Sequence, residues 1–304
     1  MFARPPRWLP PLGRCEALLK TVFLDSNGRL RNGWWILVFI AFLLASRLAY
    51  TPASRMLQEA GVPPDALEPL RFGFLLLVTW ACTRLRAEAL SSVGFMLDRR
   101  WGREFGAGTL LGIASVLMVA LLIWIAGGVR FAPDPARSLA VLAQGAWIFL
   151  FVALFEETLF RGFAFQRLVD GAGAPIALLA SGLLFATSHW DNPDMHGATL
   201  AWATLELFLG AVLLGLAWLR TRSLALPVGL HLGWNWALGS LLGFDVSGFE
   251  QSGWFHPELL ARPEWMTGGA FGPEASVFAV VVDVLLIAAL WRWKGSANPG
   301  VRSA

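Results

Sequence analysis

Eight windows of this chain are apolar for long enough to approach or reach the ~20 residues that a bilayer-spanning helix needs. They cover 33–50, 68–84, 105–127, 138–165, 174–190, 198–219, 223–242 and 274–293. With 56% hydrophobic and only 15% charged residues among 304, and a mean hydropathy of +0.59, the expected fold is an all-α polytopic membrane protein. About eight transmembrane helices then enclose an intramembrane active-site cavity. Five regions follow from the same reading: a basic arm (1–32), three N-terminal helices (33–137), a four-helix core (138–242), an external loop (243–273) and a last helix with its tail (274–304).

Charge sets the expected orientation. Arg4, Arg7, Arg14, Lys20, Arg29 and Arg31 lie before the first window, and Arg84, Arg86, Arg99, Arg100 and Arg103 follow the second. Arg167, then Arg220 and Arg222, then Arg292, Lys294 and Arg302 continue the alternation on the same side. The opposite loops are neutral or acidic, notably where Glu250, Glu258, Glu264 and Glu274 cluster. Positive-inside reasoning puts both termini in the cytoplasm. Trp34, Trp35, Trp101, Trp190, Trp218, Trp254, Trp291 and Trp293 fall near window ends, as an interfacial belt requires. The net charge of +3 expresses this loop bias toward lipid headgroups and is not a nucleic-acid signal. Cys15 and Cys82 share the cytoplasmic side, which disfavours a disulfide. The first window sits too far behind a Pro- and Arg-rich arm for a cleaved signal peptide and reads as a retained anchor.

Inside this apolar framework the ionisable residues stand out. Phe155-Glu156-Glu157-Thr158-Leu159-Phe160-Arg161 ends a long apolar run, and each charge costs roughly 2.5–3.5 kcal/mol at mid-bilayer even on lenient scales. Glu157 and Arg161 are four apart and share a helix face, so they form a brace. Glu156 points about 100° away, with no partner on its own helix. His189 closes the fifth window, and Glu156 and His189 lie at similar distances from the turn near residue 172, roughly 24–26 Å at ~1.5 Å per residue. His231 and Asn235 are four apart on the seventh window, with Gly229 and Gly233 on the opposite side. Counted from the inner loop, however, that pair is shallower than Glu156. Gly108 and Gly112 give the third window a close-packing face. His196 and His256 read as surface residues. Glu206 reads as a paired or cavity-facing carboxylate, and Asp283 has no assigned role.

A carboxylate with two imidazoles and an amide suits peptide-bond hydrolysis, with Glu156 as general base and His or Asn stabilising the oxyanion. Glu156, His189 and His231 equally suit a Zn²⁺ ion with an open position. These residue types fit both readings. There is no His-Glu-x-x-His helix.

Glu156-Glu157-x-x-x-Arg161, Phe185-x-x-x-His189 and His231-x-x-x-Asn235, in that order on three apolar helices, resemble the CAAX-protease and bacteriocin-processing family. This family is also called CPBP, Abi or type II CAAX prenyl endopeptidases. The resemblance covers roughly 138–242, and the 219–227 run before His231 is similar too. It implies an intramembrane endopeptidase, of metalloprotease or glutamate type, with Glu156, His189, His231 and Asn235 as the catalytic set and Glu157 and Arg161 in support. The expected partners are membrane lipids and a membrane-associated peptide or protein. The expected location is a bacterial plasma membrane. A non-catalytic scaffold or bacteriocin self-immunity protein is the alternative. A proton-relay transporter is a third reading, against which stands the lack of a matching repeat in the first half.

Overall fold

The computed structural model describes residues 21–296. Most of the basic arm, including Cys15, Arg4, Arg7, Arg14 and Lys20, lies outside these residues, as does Arg302 of the tail. Helix α1 (Asn32–Glu59) runs through Pro52, and α2 (Glu68–Leu85) follows a 3-10 turn that begins at Pro64. Helix α3 (Arg99–Ile125) is capped by Asp98, whose side chain accepts from the Trp101 N–H at 2.8 Å. Helix α4 (Leu139–Arg161) is capped in the same way by Ser138. Such caps satisfy N–H groups that a helix start otherwise leaves without partners.

Helix α4 stops where Gly162 turns the chain, and α5 (Phe163–Ala172) takes a new course. A side chain at Gly162 would run into the Thr158 carbonyl. Helices α6 (Ala174–Thr187), α7 (Gly197–Thr221) and α8 (Ala225–Asn235) follow, and α8 continues as a π-helical segment, Trp236–Leu241. The last helix, α9 (Val277–Arg292), is capped by Ser276.

Among the described residues five helical stretches are long and apolar enough to cross a membrane: Asn32–Glu59, Pro64–Leu85, Arg99–Ile125, Leu139–Ala172 taken through its kink, and Gly197–Thr221. The other three expected spans correspond to helices of 14, 11 and 16 residues. Burial explains one of them. Every residue of α8 is buried, packed between α3, α4 and α7, so its apolar sequence reflects a protein core. The outer faces carry exposed apolar residues such as Leu48, Leu110, Ile125, Leu184 and Leu285, as a lipid-facing surface requires. The protein is a mostly helical membrane protein.

Small residues set the closest approach in the bundle. Gly108 and Gly112 of α3 lie against the backbone of α8 around Leu226–Trp234, while Gly229 and Gly233 lie against α3 at Phe105 and Thr109. A Cβ at any of the four would meet a backbone atom. The two glycine faces read separately in the sequence are two halves of one contact.

Two expectations are corrected. The fold is not purely helical: β1 (Val129–Pro133) pairs antiparallel with β2 (Phe255–Leu259) in a two-stranded sheet. Short strands far apart in sequence give no helical or hydropathic signal of their own. Trp218 is buried against Phe165 and beneath the Arg222 guanidinium, so it is a core residue and not part of an interfacial belt. Trp190, Trp291 and Trp293 are exposed. Between α8 and α9 the chain is packed down, with Phe244, Val246 and Phe271 buried.

Candidate active site

Glu156 and Glu157 leave α4 in different directions. Glu157 is fully buried and accepts from Arg161 Nη1 at 3.1 Å, with Arg161 equally buried. Arg161 Nη2 donates to the Ala211 carbonyl of α7 at 3.0 Å, and the guanidinium also faces the Phe185 ring at 5.1 Å. One guanidinium thus joins α4, α6 and α7. Glu156 instead lines a cavity of about 920 Å³.

A second partner of Glu157 escaped sequence reading. His231 Nδ1 lies 2.9 Å from the same Glu157 oxygen that Arg161 reaches. A carboxylate paired with a guanidinium can only accept, so Nδ1 carries the proton. This bond fixes the ring and turns His231 Nε2 toward Glu156, whose Oε2 is 3.8 Å away. The apparent difference in depth between these residues is removed by the break at Gly162. Counting back from the turn near 172 assumes one straight helix, whereas α4 and α5 are two.

His189, one residue beyond the α6 C-cap, stands with Nδ1 2.8 Å from the Phe185 carbonyl, which again makes Nδ1 the donor and leaves Nε2 free. The Phe185 ring packs against both imidazoles, 4.7 Å from His189 and 6.4 Å from His231 between centroids. Asn235, 7% exposed, also lines the cavity, and its side chain makes no hydrogen bond among the described residues. The cavity therefore gathers Glu156, His189, His231 and Asn235, while Glu157 and Arg161 stay behind its wall. No hydrogen bond or ion pair among the described residues links His189 or Asn235 directly to Glu156.

Glu206 faces the cavity, one of the two expected positions for it, and other lining residues were not anticipated as such. Glu68 and Arg71 of α2 pair at 3.6 Å, and the Arg71 guanidinium sits 4.0 Å over the Phe155 ring. Glu274, which reads as a loop acid, is buried and lines the same space, together with Glu206 and Asp283. His196 and His256 are exposed. A Zn²⁺ ion held by Glu156, His189 and His231 would need those donors to converge. Among the described residues no group of three His, Cys, Asp or Glu side chains is gathered to hold a metal ion.

Apolar helices around a cavity lined by a carboxylate, two imidazoles and an amide define the class as a membrane protein with polar groups gathered in a cavity between its helices. The segment 138–237 matches the Rce1-like family, described as type II CAAX prenyl endopeptidase Rce1-like. The matched stretch covers about a third of the chain and carries all six motif residues, Glu156, Glu157, Arg161, His189, His231 and Asn235. No curated protein and no solved structure matches the chain.

Proposed function

We propose that the protein is an intramembrane endopeptidase that uses Glu156 to activate water against a peptide bond of a membrane-associated peptide or protein. The observation that carries this reading is the chain of contacts from Arg161 through Glu157 to His231, which presents His231 Nε2 beside Glu156 on the cavity side. Water held between Glu156 and His231 Nε2 attacks the carbonyl carbon as its proton passes to Glu156. The negative charge on the carbonyl oxygen is met by the Asn235 amide N–H, and by His189 Nε2 when that ring is protonated. Glu156 then returns its proton to the departing amine as the C–N bond breaks. Phe185 keeps both rings in place.

The arginine-rich, tyrosine-poor composition and the basic residues of alternate loops support a bacterial plasma membrane with both termini cytoplasmic. Because bacterial membranes generally lack prenylated CAAX proteins, the substrate is taken to be an unprenylated membrane peptide. The reading is tested by incubating the purified protein in detergent with a quenched peptide library in ¹⁸O-labelled water. The expected result is internal cleavage, with one ¹⁸O in the new carboxyl group and no loss on adding a chelator. Loss of cleavage on chelation would refute the metal-free route. A folded protein that cleaves nothing, and whose Glu156→Ala variant keeps its function in cells, would favour the scaffold or immunity reading.

A further inference from the structure

Three cavity-lining carboxylates take no part in the chemistry above: Glu206 on α7, Glu274 just before α9 and Asp283 on α9. Their exposures are 4%, 4% and 1%. Glu274 is held in place, accepting from Trp234 Nε1 at 3.2 Å and from the Ser247 N–H and Oγ at 2.6 and 3.1 Å. Trp234 precedes Asn235, so this bond ties the acid to the helix that carries the candidate oxyanion donor.

Asp283 is different. Its Oδ2 is buried without a hydrogen-bond partner. That atom lies 3.5 Å from where a side chain would begin at Gly210, one helical turn after Glu206, so it faces the Glu206 side of α7, and Asp283 itself lines the cavity. No arginine, lysine or histidine among the described residues forms an ion pair with any of the three acids. His189 is near enough to Glu274 to attract it but too far to pair with it, and buried carboxylates without a paired counter-charge are costly, a free acceptor oxygen adding to the cost. These acids do not gather closely enough for a metal ion. The cavity offers instead the room and the spread of acceptors that suit a long cationic side chain, whose several N–H donors can reach separated oxygens.

We propose that Glu206, Glu274 and Asp283 form a subsite for a lysine or arginine side chain of the peptide substrate. The inference rests on the endopeptidase reading and adds selectivity to it: the scissile bond lies within reach of a basic residue.

The test uses the full-length Glu156→Gln protein in detergent, which removes turnover, and labelled peptides that differ only in lysine, arginine or norleucine at one scanned position. In at least one register the cationic peptide should bind about tenfold or more tightly, the worth of one charged hydrogen-bonded contact. Asp283→Asn and Glu206→Gln, each introduced alone and checked for folding by thermal unfolding, should narrow that ratio to within about twofold. Should either fail to fold, the lysine-to-norleucine series decides alone. Equal or absent binding at every register, or a preference kept in both folded variants, overturns the subsite; carboxyls that share protons among themselves would give that result. Wild-type cleavage is read in parallel. Cleavage without a basic preference sinks the subsite and spares the endopeptidase, whereas preferential binding with no cleavage anywhere sinks the endopeptidase and leaves a cationic-peptide site.

Discussion

Glu157 accepts hydrogen bonds from two buried groups at once, Arg161 and His231. Removing its charge leaves a guanidinium in the interior without a counter-ion, and breaking such a pair typically costs about 3–5 kcal/mol. Glu157→Gln should therefore unfold at markedly lower denaturant concentration or temperature than wild type; unchanged stability would mean that the brace is not structural. Asn235 behaves differently, because its amide has no side-chain partner to lose. Asn235→Ala is expected to fold normally and to lower kcat by about 10²–10³ with little change in KM, as removal of an oxyanion donor does. A change in KM alone would assign Asn235 to substrate binding. The Glu157–Arg161 pair was legible because four residues separate its members on one helix. The Glu157–His231 contact was not: it joins residues 74 apart, and helix arithmetic placed them at unequal depth until Gly162 divided α4 from α5.

At the scale of elements, the contact between α3 and α8 positions the His231 face. Gly233 lies against the Thr109 carbonyl and Gly112 against the Leu230–Trp234 backbone, so any side chain there pushes the two helices apart. Gly233→Leu and Gly112→Leu should lower the unfolding temperature and abolish cleavage together. Gly106 on the same α3 helix has nothing within 4 Å of a built Cβ. Gly106→Ala is expected to be neutral or stabilising by roughly 0.5–1 kcal/mol, since glycine is costly within a helix. Equal effects at Gly106 and Gly112 would show that close approach is not what the glycines provide. Both small-residue faces could be read from spacing, but their pairing could not, because nothing local says which helix a glycine face will meet. The π-helical segment after Asn235 and the β1–β2 pair left no trace in hydropathy for the same reason: both are decided by tertiary contacts.

For the whole molecule, hydropathy identified a helical membrane protein and the motif spacing identified the Rce1-like segment. Hydropathy alone cannot separate a helix buried in protein from one buried in lipid, which is why α8 looked like a span equal to the others. The enclosure of Glu274 with Glu206 and Asp283 was equally hidden, since Glu274 belongs to the connection that folds back over the cavity. The alternating loop charges predict that a fluorescent reporter fused to the C-terminus is bright and that an alkaline phosphatase fused there is inactive; the reverse pattern would invert the topology. The central claim is that Glu156 is the general base, and single-turnover cleavage of one defined peptide by wild type and Glu156→Gln tests it most directly. With the variant equally stable, the rate should fall by at least the ~10²–10⁴-fold that a positioned base contributes. A folded Glu156→Gln protein that cleaves at the wild-type rate would contradict the account.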